Sequence, residues 1–150
     1  MNRGKELEKI VNDVNLKSRL KEESLILKIP VPIIMTNKGL TPMQSTVDFV
    51  GTLPNGRFIA FDTKETKVKT RFDLKNIKQH QLEYLEAIDK LGGVAFFMVW
   101  FKEVYKDEAF IIYPKFIRSF WQTSSIKIKE ITENCELIKI KQYLETKWKS

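Results

Sequence analysis

The segment STVDFVGTLPNGRFIAFDTKET, which spans residues 45–66, constrains the fold more strongly than any other part of the chain. Within it, two runs rich in strand-forming residues, Thr46–Leu53 and Arg57–Glu65, flank the sequence Pro-Asn-Gly. An Asn-Gly pair between two such runs is the strongest short-range signal for a β-hairpin. The sequence therefore predicts two neighbouring antiparallel strands at this position.

Each strand of this predicted hairpin carries a carboxylate inside an otherwise apolar run. Side chains alternate between the two faces of a strand, so Asp62 and Lys64 share one face of the second strand. Asp48 lies in the first strand, and the register of the hairpin decides whether it shares that face. Two close carboxylates repel each other unless an amine or a divalent cation offsets their charge.

Two interpretations of these residues follow from the sequence alone. In the first, Asp48 and Asp62 hold a divalent cation, since Mg²⁺ is typically bound by one or two carboxylates together with water and phosphate oxygens. Lys64 then stabilises the pentavalent phosphate or orients the water in a phosphoryl-transfer reaction. In the second, these three residues and Glu65 are solvent-facing charges on an edge hairpin, which discourage pairing with other chains.

The helix predicted over residues 76–91 adds a polar side chain to this picture. Its apolar stripe consists of Ile77, Tyr84, Ile88 and Leu91. Gln81 lies on the same stripe, where it needs hydrogen-bond partners, either a nearby backbone group or the carboxylates. Glu8 lies beside the apolar face of a first helix, predicted over residues 3–20. It is either another acidic member of the site or an ordinary surface glutamate.

The rest of the sequence predicts an α/β protein with a mixed central sheet flanked by helices, in one domain of residues 1–150. The other predicted elements are strands at 25–29, 94–101, 109–113 and 126–131, a short helix from residue 114 and a final helix at 139–148. Residues 30–44 contain Pro30 and Pro32 and are predicted to form a connection or a projection outside the core, with TNKGLTP (residues 36–42) as a loop. The polar segment 66–75 is predicted to be a loop.

The net charge of +7 favours polyanionic partners such as nucleic acid or an acidic membrane surface. One cysteine and one histidine exclude an intramolecular disulfide and a zinc site built from a Cys/His cluster. No apolar run approaches the ~20 residues of a membrane span, and the charged N-terminus lacks the apolar region of a secretory signal. A cytoplasmic protein outside the membrane is therefore expected.

Five segments, taken together and in order, resemble the RecU-type Holliday junction resolvases of the PD-(D/E)xK nuclease superfamily. They are NRGKELEKIVNDVN, STVDFVG, FDTKET, FDLKNIKQHQLEYL and GGVAFFMVWF. They cover most of residues 2–101, and the last third of the chain fits more loosely. The resemblance implies a restriction-endonuclease-like core and a homodimer that cuts branched DNA, especially four-way junctions, with Mg²⁺ or Mn²⁺.

The resemblance also implies roles for particular residues. The implied metal ligands are Thr46, Asp48, Asp62 and Gln81, the catalytic lysine is Lys64, and the matching N-terminal acidic residue is Glu8. In this reaction a metal-activated water attacks the phosphodiester and leaves 5′-phosphate and 3′-hydroxyl ends. Symmetric cutting of two opposed strands needs two such sites, which a two-fold dimer provides.

The chain departs from the family pattern at two places. Asp62 stands where the family usually has glutamate, and residues 30–44 are shorter than the basic stalk that enters the junction centre in the family. A short chain of this pattern also resembles a phage or prophage form. Two alternatives therefore stay open: a related nuclease for flaps, branched DNA or duplex DNA, and a DNA-binding modulator of recombination that does not cut.

The late segment of the chain contains an aromatic cluster. Its members Phe116, Phe120 and Trp121 are candidates for a dimer interface, and equally for core packing.

Overall fold

The computed structural model describes residues 5–31, 33–42 and 46–149. The helices are α1 (Lys5–Leu20), α2 (Gln79–Lys90), α3 (Pro114–Ser119) and α4 (Ile128–Asn134). The first five strands are β1 (Leu25–Lys28), β2 (Ile33–Thr36), β3 (Gly39–Pro42), β4 (Phe49–Thr52) and β5 (Phe58–Thr66). The remaining strands are β6 (Arg71–Asp73), β7 (Val94–Phe101), β8 (Glu108–Ile112), β9 (Ser125–Lys127) and β10 (Glu136–Lys139).

Six of these strands form one mixed sheet in the order β1-β4-β5-β7-β8-β10. The β5–β7 pair is parallel and the other pairs are antiparallel. Helix α2 lies between β5 and β7 in the sequence and contacts both strands, as a parallel crossover requires. The predicted α/β architecture, with a mixed central sheet flanked by helices, is confirmed.

The predicted hairpin is also confirmed, as the antiparallel pair β4–β5. Its turn is a single 3₁₀ turn over Pro54–Gly56, in which Asn55 and Gly56 have φ angles of 68° and 75°. Positive φ is accessible to glycine and tolerated by asparagine, which explains why this dipeptide stands here.

Apolar side chains cover both faces of the central sheet. All eight residues of β7 are buried, as expected for a central strand that reads as a continuous apolar run. Helices α2 and α3 pack on one face, and α1 packs with the 3₁₀ segment Ile140–Glu145 on the other. Within the part of the chain that the structure describes, no helix is both long and apolar enough to cross a lipid bilayer.

Three local predictions were wrong, two of them where a strand pairs with a distant segment. The TNKGLTP part of the segment 30–44 was expected to be a loop, yet β2 and β3 form a two-stranded hairpin there; residues 32, 43 and 44 lie outside the described parts. The segment 66–75 contains β6, which pairs with β9 some 55 residues later. The predicted strand at 126–131 is therefore only the short β9, and α4 follows it.

The last predicted helix, at 139–148, is also wrong. Strand β10 ends at Lys139 and is followed by the 3₁₀ segment Ile140–Glu145. Strand β10 pairs with β8 and extends the sheet. This pairing keeps residues 136–139 extended, and local helix propensity does not predict it. Tyr143 is fully buried in the following segment, where its ring packs against Phe61 of β5.

Strands β1 and β4 approach each other very closely at Gly51 of β4. A Cβ atom at Gly51 would lie 2.1 Å from the carbonyl oxygen of Leu25 and 2.6 Å from the Cα atom of Ile26, both in β1. We expect Gly51→Ala to lower the free energy of unfolding by about 3 kcal/mol, because backbone atoms must move to admit the methyl group. Urea unfolding measures the change.

Gly56→Ala is the matched control for this substitution. Gly56 has a positive φ of 75°, but no neighbouring atom lies within 4 Å of the position that a Cβ would take. The variant should therefore lose only about 1 kcal/mol, from backbone strain. Equal losses for the two variants would contradict the close approach at Gly51.

Candidate active site

The register of the β4–β5 hairpin brings the two carboxylates together. Phe49 pairs with Phe61, so Asp48, directly before β4, lies opposite Asp62. The backbone N–H of Asp48 donates to Asp62 Oδ1 at 3.0 Å. Asp48 Oδ2 in turn accepts from the backbone N–H of Thr63 at 2.9 Å and from its hydroxyl at 2.7 Å. These reciprocal bonds hold both carboxylates at one end of the hairpin.

Asp62 is the most deeply buried charged residue of this group, with 1% of its surface exposed. Its Oδ2 atom lies 2.8 Å from Lys64 Nζ, and among the described groups none donates a well-directed hydrogen bond to that oxygen. Burial, reinforced by repulsion from Asp48 and opposed by Lys64, raises the pKa of Asp62 to about 7. The raised pKa is therefore due first to burial and second to the neighbouring Asp48 carboxylate.

Gln81 faces the sheet from the first turn of α2 and is 9% exposed. Its Oε1 atom accepts from Lys64 Nζ at 3.2 Å and from the backbone N–H of Lys78 at 3.1 Å. Of the partners considered from the sequence, the nearby backbone group is thus engaged directly, and the other contact is with Lys64, which also lies beside Asp62. The result is that Lys64 Nζ is held between Asp62 and Gln81.

The predicted apolar stripe of this helix was wrong at one end. Leu82 and Leu85 are fully buried and carry the face that packs on the sheet. Ile77 is also buried but precedes α2, whereas Leu91 is 85% exposed where the helix ends. The buried face is thus shifted by one residue from the predicted stripe, and Gln81 remains on it.

These groups line a cavity of about 300 Å³. Its lining residues are Glu8, Asp48, Asp62, Thr63, Lys64, Glu65, Lys75, Asn76, Lys78 and Gln81. The structure thus brings together five of the six predicted site residues. The sixth, Thr46, is exposed and does not line the cavity, and the threonine whose hydroxyl bonds to a site carboxylate is Thr63.

Helix α1 contributes Glu8 to this cavity. The Glu8 carboxylate lies 3.4 Å from Lys28 Nζ of β1, and its side chain is 20% exposed. Partial burial and then repulsion from Asp48 raise the pKa of Glu8, while Lys28 opposes that change. Of the two interpretations open from the sequence, the structure favours Glu8 as an acidic member of the cavity over an ordinary surface position.

Glu65 also lines the cavity, whereas the sequence analysis considered it only as a solvent-facing charge. Its side chain is 7% exposed, and its two oxygens accept from the backbone N–H of Leu7 and from Lys102 Nζ, each at 2.9 Å. Lys102 also pairs with Glu6 at 2.9 Å. Glu65 therefore connects the first turn of α1, which carries Glu8, to the end of β5, the strand that carries Asp62 and Lys64. The parallel β5–β7 register that brings Lys102 close leaves no local sequence signal.

We expect Glu65→Ala to lower the free energy of unfolding by about 2–3 kcal/mol, because Leu7 N–H and Lys102 lose a buried acceptor. Glu65→Gln keeps an oxygen for Leu7 N–H and should cost less. Urea unfolding measures both changes. Glu86→Ala is the control, since Glu86 pairs with Arg118 at the surface and such pairs contribute at most about 1 kcal/mol. A Glu65→Ala variant as stable as wild type would contradict the role of Glu65 in connecting α1 to β5.

The cavity suits a divalent cation by its donor set. Asp62 Oδ2 is a buried carboxylate oxygen that lies 2.8 Å from the Lys64 ammonium, and Asp48 stands beside Asp62. Across the described ranges, no group of three or more His, Cys, Asp and Glu side chains is arranged to hold a metal. An ion here would thus be held by two carboxylates, with the remaining positions open to water or substrate oxygens, as is usual for Mg²⁺.

Comparison with known proteins gives matches along nearly the whole chain. The profile of the family described as "RecU: Recombination protein U" matches residues 2–148. A Holliday junction resolvase RecU of Staphylococcus saprophyticus is 32% identical over 154 residues, covering 88% of this chain and 71% of the relative. That of Mycoplasmopsis pulmonis is 33% identical, covering 93% and 86%. That of Bacillus pumilus is 33% identical, covering 65% and 53%.

Proposed function

Because the chain belongs to the RecU family of recombination proteins, we propose that it is a structure-selective endonuclease that resolves four-way DNA junctions. The family resemblance drawn from five sequence segments is confirmed. The observation that carries the proposal is the interlocked pair Asp48 and Asp62 beside Lys64, in a cavity open to substrate. A chain of net charge +7 also attracts a polyanionic substrate to that cavity.

Asp48 and Asp62 are the residues proposed to hold Mg²⁺, with Mn²⁺ as a substitute. When bound, such an ion supplies positive charge near the scissile phosphate and lowers the pKa of water. The geometry of the carboxylate pair supports this assignment, because a cation offsets the repulsion between two carboxylates held side by side. Thr46 and Gln81 remain predicted ligands, and Gln81 would exchange its present hydrogen bonds to take that role.

Lys64 is the residue proposed to stabilise the developing negative charge on the phosphate. Its ammonium group carries three donors, of which Asp62 and Gln81 engage two on the protein side. The third is available to a phosphate oxygen or to the attacking water. Gln81, which accepts a hydrogen bond from Lys78 N–H, in turn accepts from this ammonium group and fixes its position, so the charge is in place before the substrate arrives.

Glu8 is proposed to act at the edge of the same cavity. Its ion pair with Lys28 holds the Glu8 side chain in the cavity that Asp48 also lines, where its oxygens can accept a hydrogen bond from water. Helix α1 holds it there through the bond from Leu7 N–H to Glu65. Loss of this position should slow cleavage more than it weakens DNA binding.

A homodimer is also part of the proposal, since paired cuts in opposed strands need two sites related by two-fold symmetry. The aromatic side chains suggested for its interface are half-buried and pack against the core on the α2 face: Phe116, Phe120 and Trp121. Core packing therefore accounts for the burial of these three side chains without a second subunit. A dimer interface would involve other surfaces or only the exposed edges of these rings.

A comparison of three substrates tests the proposed function. Equal concentrations of a four-way junction, a flap and a linear duplex are incubated with the protein and Mg²⁺, and initial rates are measured on denaturing gels. We expect the junction to be cut fastest, with paired nicks in opposed strands. Equal rates on all three substrates would favour the general nuclease, and junction binding without nicking in either ion would favour the non-cutting modulator.

A further inference from the structure

A second cavity, of about 530 Å³, lies beside the site and shares Lys75 with it. Its walls are β6, the 3₁₀ turn Leu74–Asn76 and the turn that contains Trp121, Thr123 and Ser124. A backbone hydrogen bond of 3.0 Å from Leu74 N–H to Ser124 O joins the two turns, and the β6–β9 pair supports them. The cavity is thus a built feature of the fold, although none of the proposed catalytic residues lines it.

The segment between the catalytic strand and α2 concentrates the positive charge of the chain. Residues 64–78 contain six Lys or Arg residues and two acidic residues. Five of the six cations are exposed: Lys67, Lys69, Arg71, Lys75 and Lys78. Because the whole chain has a net charge of +7, more than half of that excess lies beside the carboxylate cavity. A polyanion that enters the carboxylate cavity therefore meets cations on this side.

Charge and aromatic surface coincide inside the second cavity. Arg71 lies 2.8 Å from Asp73, but the Arg71 side chain is 50% exposed, so this pair is screened and leaves other guanidinium donors available. Trp121 is half-buried in the same wall, with the guanidinium carbon of Arg118 5.8 Å from its ring. Cations beside an aromatic side chain are the combination that binds a nucleotide, with contacts to its phosphate and its base.

We propose that this second cavity binds a DNA nucleotide next to the one whose phosphate enters the carboxylate cavity. Lys75 and Arg71 contact phosphate oxygens, and Trp121 contacts the base. Lys75, which lines both cavities, marks where the strand passes from one to the other. This inference deepens the proposed function and rests on it for the identity of the substrate. Aromatic contacts of this kind are tolerant of base identity, so the cavity adds affinity without a strong sequence preference.

The salt dependence of binding tests the phosphate contacts. A fluorescent four-way junction is titrated in EDTA, so that no cleavage occurs, at several salt concentrations. Binding weakens as salt rises, and each lost phosphate contact makes the plot of log K against log salt less steep by about 0.9. We expect the double variant Arg71→Gln/Lys75→Gln to reduce the slope by about 2. Its control is Lys139→Gln/Lys141→Gln, which removes the same charge from exposed positions at the end of β10 and just after it, outside both cavities.

Substitution of Trp121 tests the base contact. Trp121→Leu should weaken junction binding about tenfold without changing the salt slope, whereas Trp121→Phe should retain most of the affinity. A thermal melt checks that each variant is folded, and the Phe variant keeps the test valid if the Leu variant is not. With Trp121→Phe, the fluorescence change of the remaining tryptophans on DNA binding should also be smaller than in wild type.

Two results would overturn the inference. One is a salt slope for Arg71→Gln/Lys75→Gln equal to that of the control variant. The other is wild-type affinity in Trp121→Leu, together with a DNA-induced change in tryptophan fluorescence that is as large in Trp121→Phe as in wild type. Both readouts measure binding in EDTA, so they are independent of cleavage. A wild-type protein that binds junctions through these residues but cuts none would instead refute the proposed activity and leave the nucleotide site standing.

Discussion

Replacement of Lys64 with methionine should reduce the rate of junction cleavage by about 10²- to 10³-fold and leave junction binding nearly unchanged. Methionine keeps an unbranched side chain of similar length but removes the ammonium group that lies 2.8 Å from Asp62 and 3.2 Å from Gln81. A preorganised donor aimed at developing charge contributes on this scale to phosphoryl and acyl transfer. The side chain is largely enclosed by the cavity, so the DNA contacts outside it persist.

Single-turnover cleavage, with binding measured separately in EDTA, distinguishes the two effects of this substitution. Lys90→Met is the matched control, since Lys90 is an exposed lysine in the last turn of α2 and lies outside both cavities. It should cut at the wild-type rate. A Lys64→Met protein that cuts within threefold of wild type would remove Lys64 from the reaction.

Asp62→Asn should abolish cleavage and, in the metal-free protein, raise the free energy of unfolding by about 2 kcal/mol at pH 8. The native pKa of Asp62 is about 7, whereas the ordinary value is 3.8. Between these values the native state binds more protons than the unfolded state, so the stability of the wild type falls as pH rises. Asparagine removes that cost, although it also leaves Lys64 without its ion-pair partner.

The pH profile of stability is the measurement that checks this sign. Urea unfolding in EDTA at pH 4 should show little advantage of Asp62→Asn over wild type, with the difference growing up to about pH 7 and then levelling off. Addition of Mn²⁺ should stabilise the wild type and have no effect on the variant. A variant less stable than wild type at pH 8 in EDTA would contradict a buried, destabilised carboxylate.

The hairpin and the core of the site were predictable because their signals are local. Alternation along β5 placed Asp62 and Lys64 on one face, and Asn-Gly fixed the turn that brings Asp48 opposite. The helical period of α2 identified Gln81 as a polar residue facing the sheet. Each of these inferences needs only the geometry of one strand, one turn or one helix.

The parts that escaped prediction depend on contacts between distant segments. Glu65 acquires its role from Lys102, which the parallel β5–β7 register brings beside it. Thr63 has its side chain on the opposite face from Asp62, yet its backbone N–H and hydroxyl both reach Asp48 across the hairpin. Likewise, β6 and β10 are extended because of their strand partners, β9 and β8. Local propensity carries no information about such partners.

The most direct test of a metal-dependent nuclease centre at this carboxylate pair is single-turnover cleavage of a four-way junction labelled in turn on each strand. Wild type and Asp48→Asn are compared in Mg²⁺, with junction binding by both measured in EDTA. We predict paired cuts in two opposed strands for the wild type, and no cuts for Asp48→Asn at equal binding. Cuts that persist in Asp48→Asn, or in wild type without any divalent ion, would contradict the account.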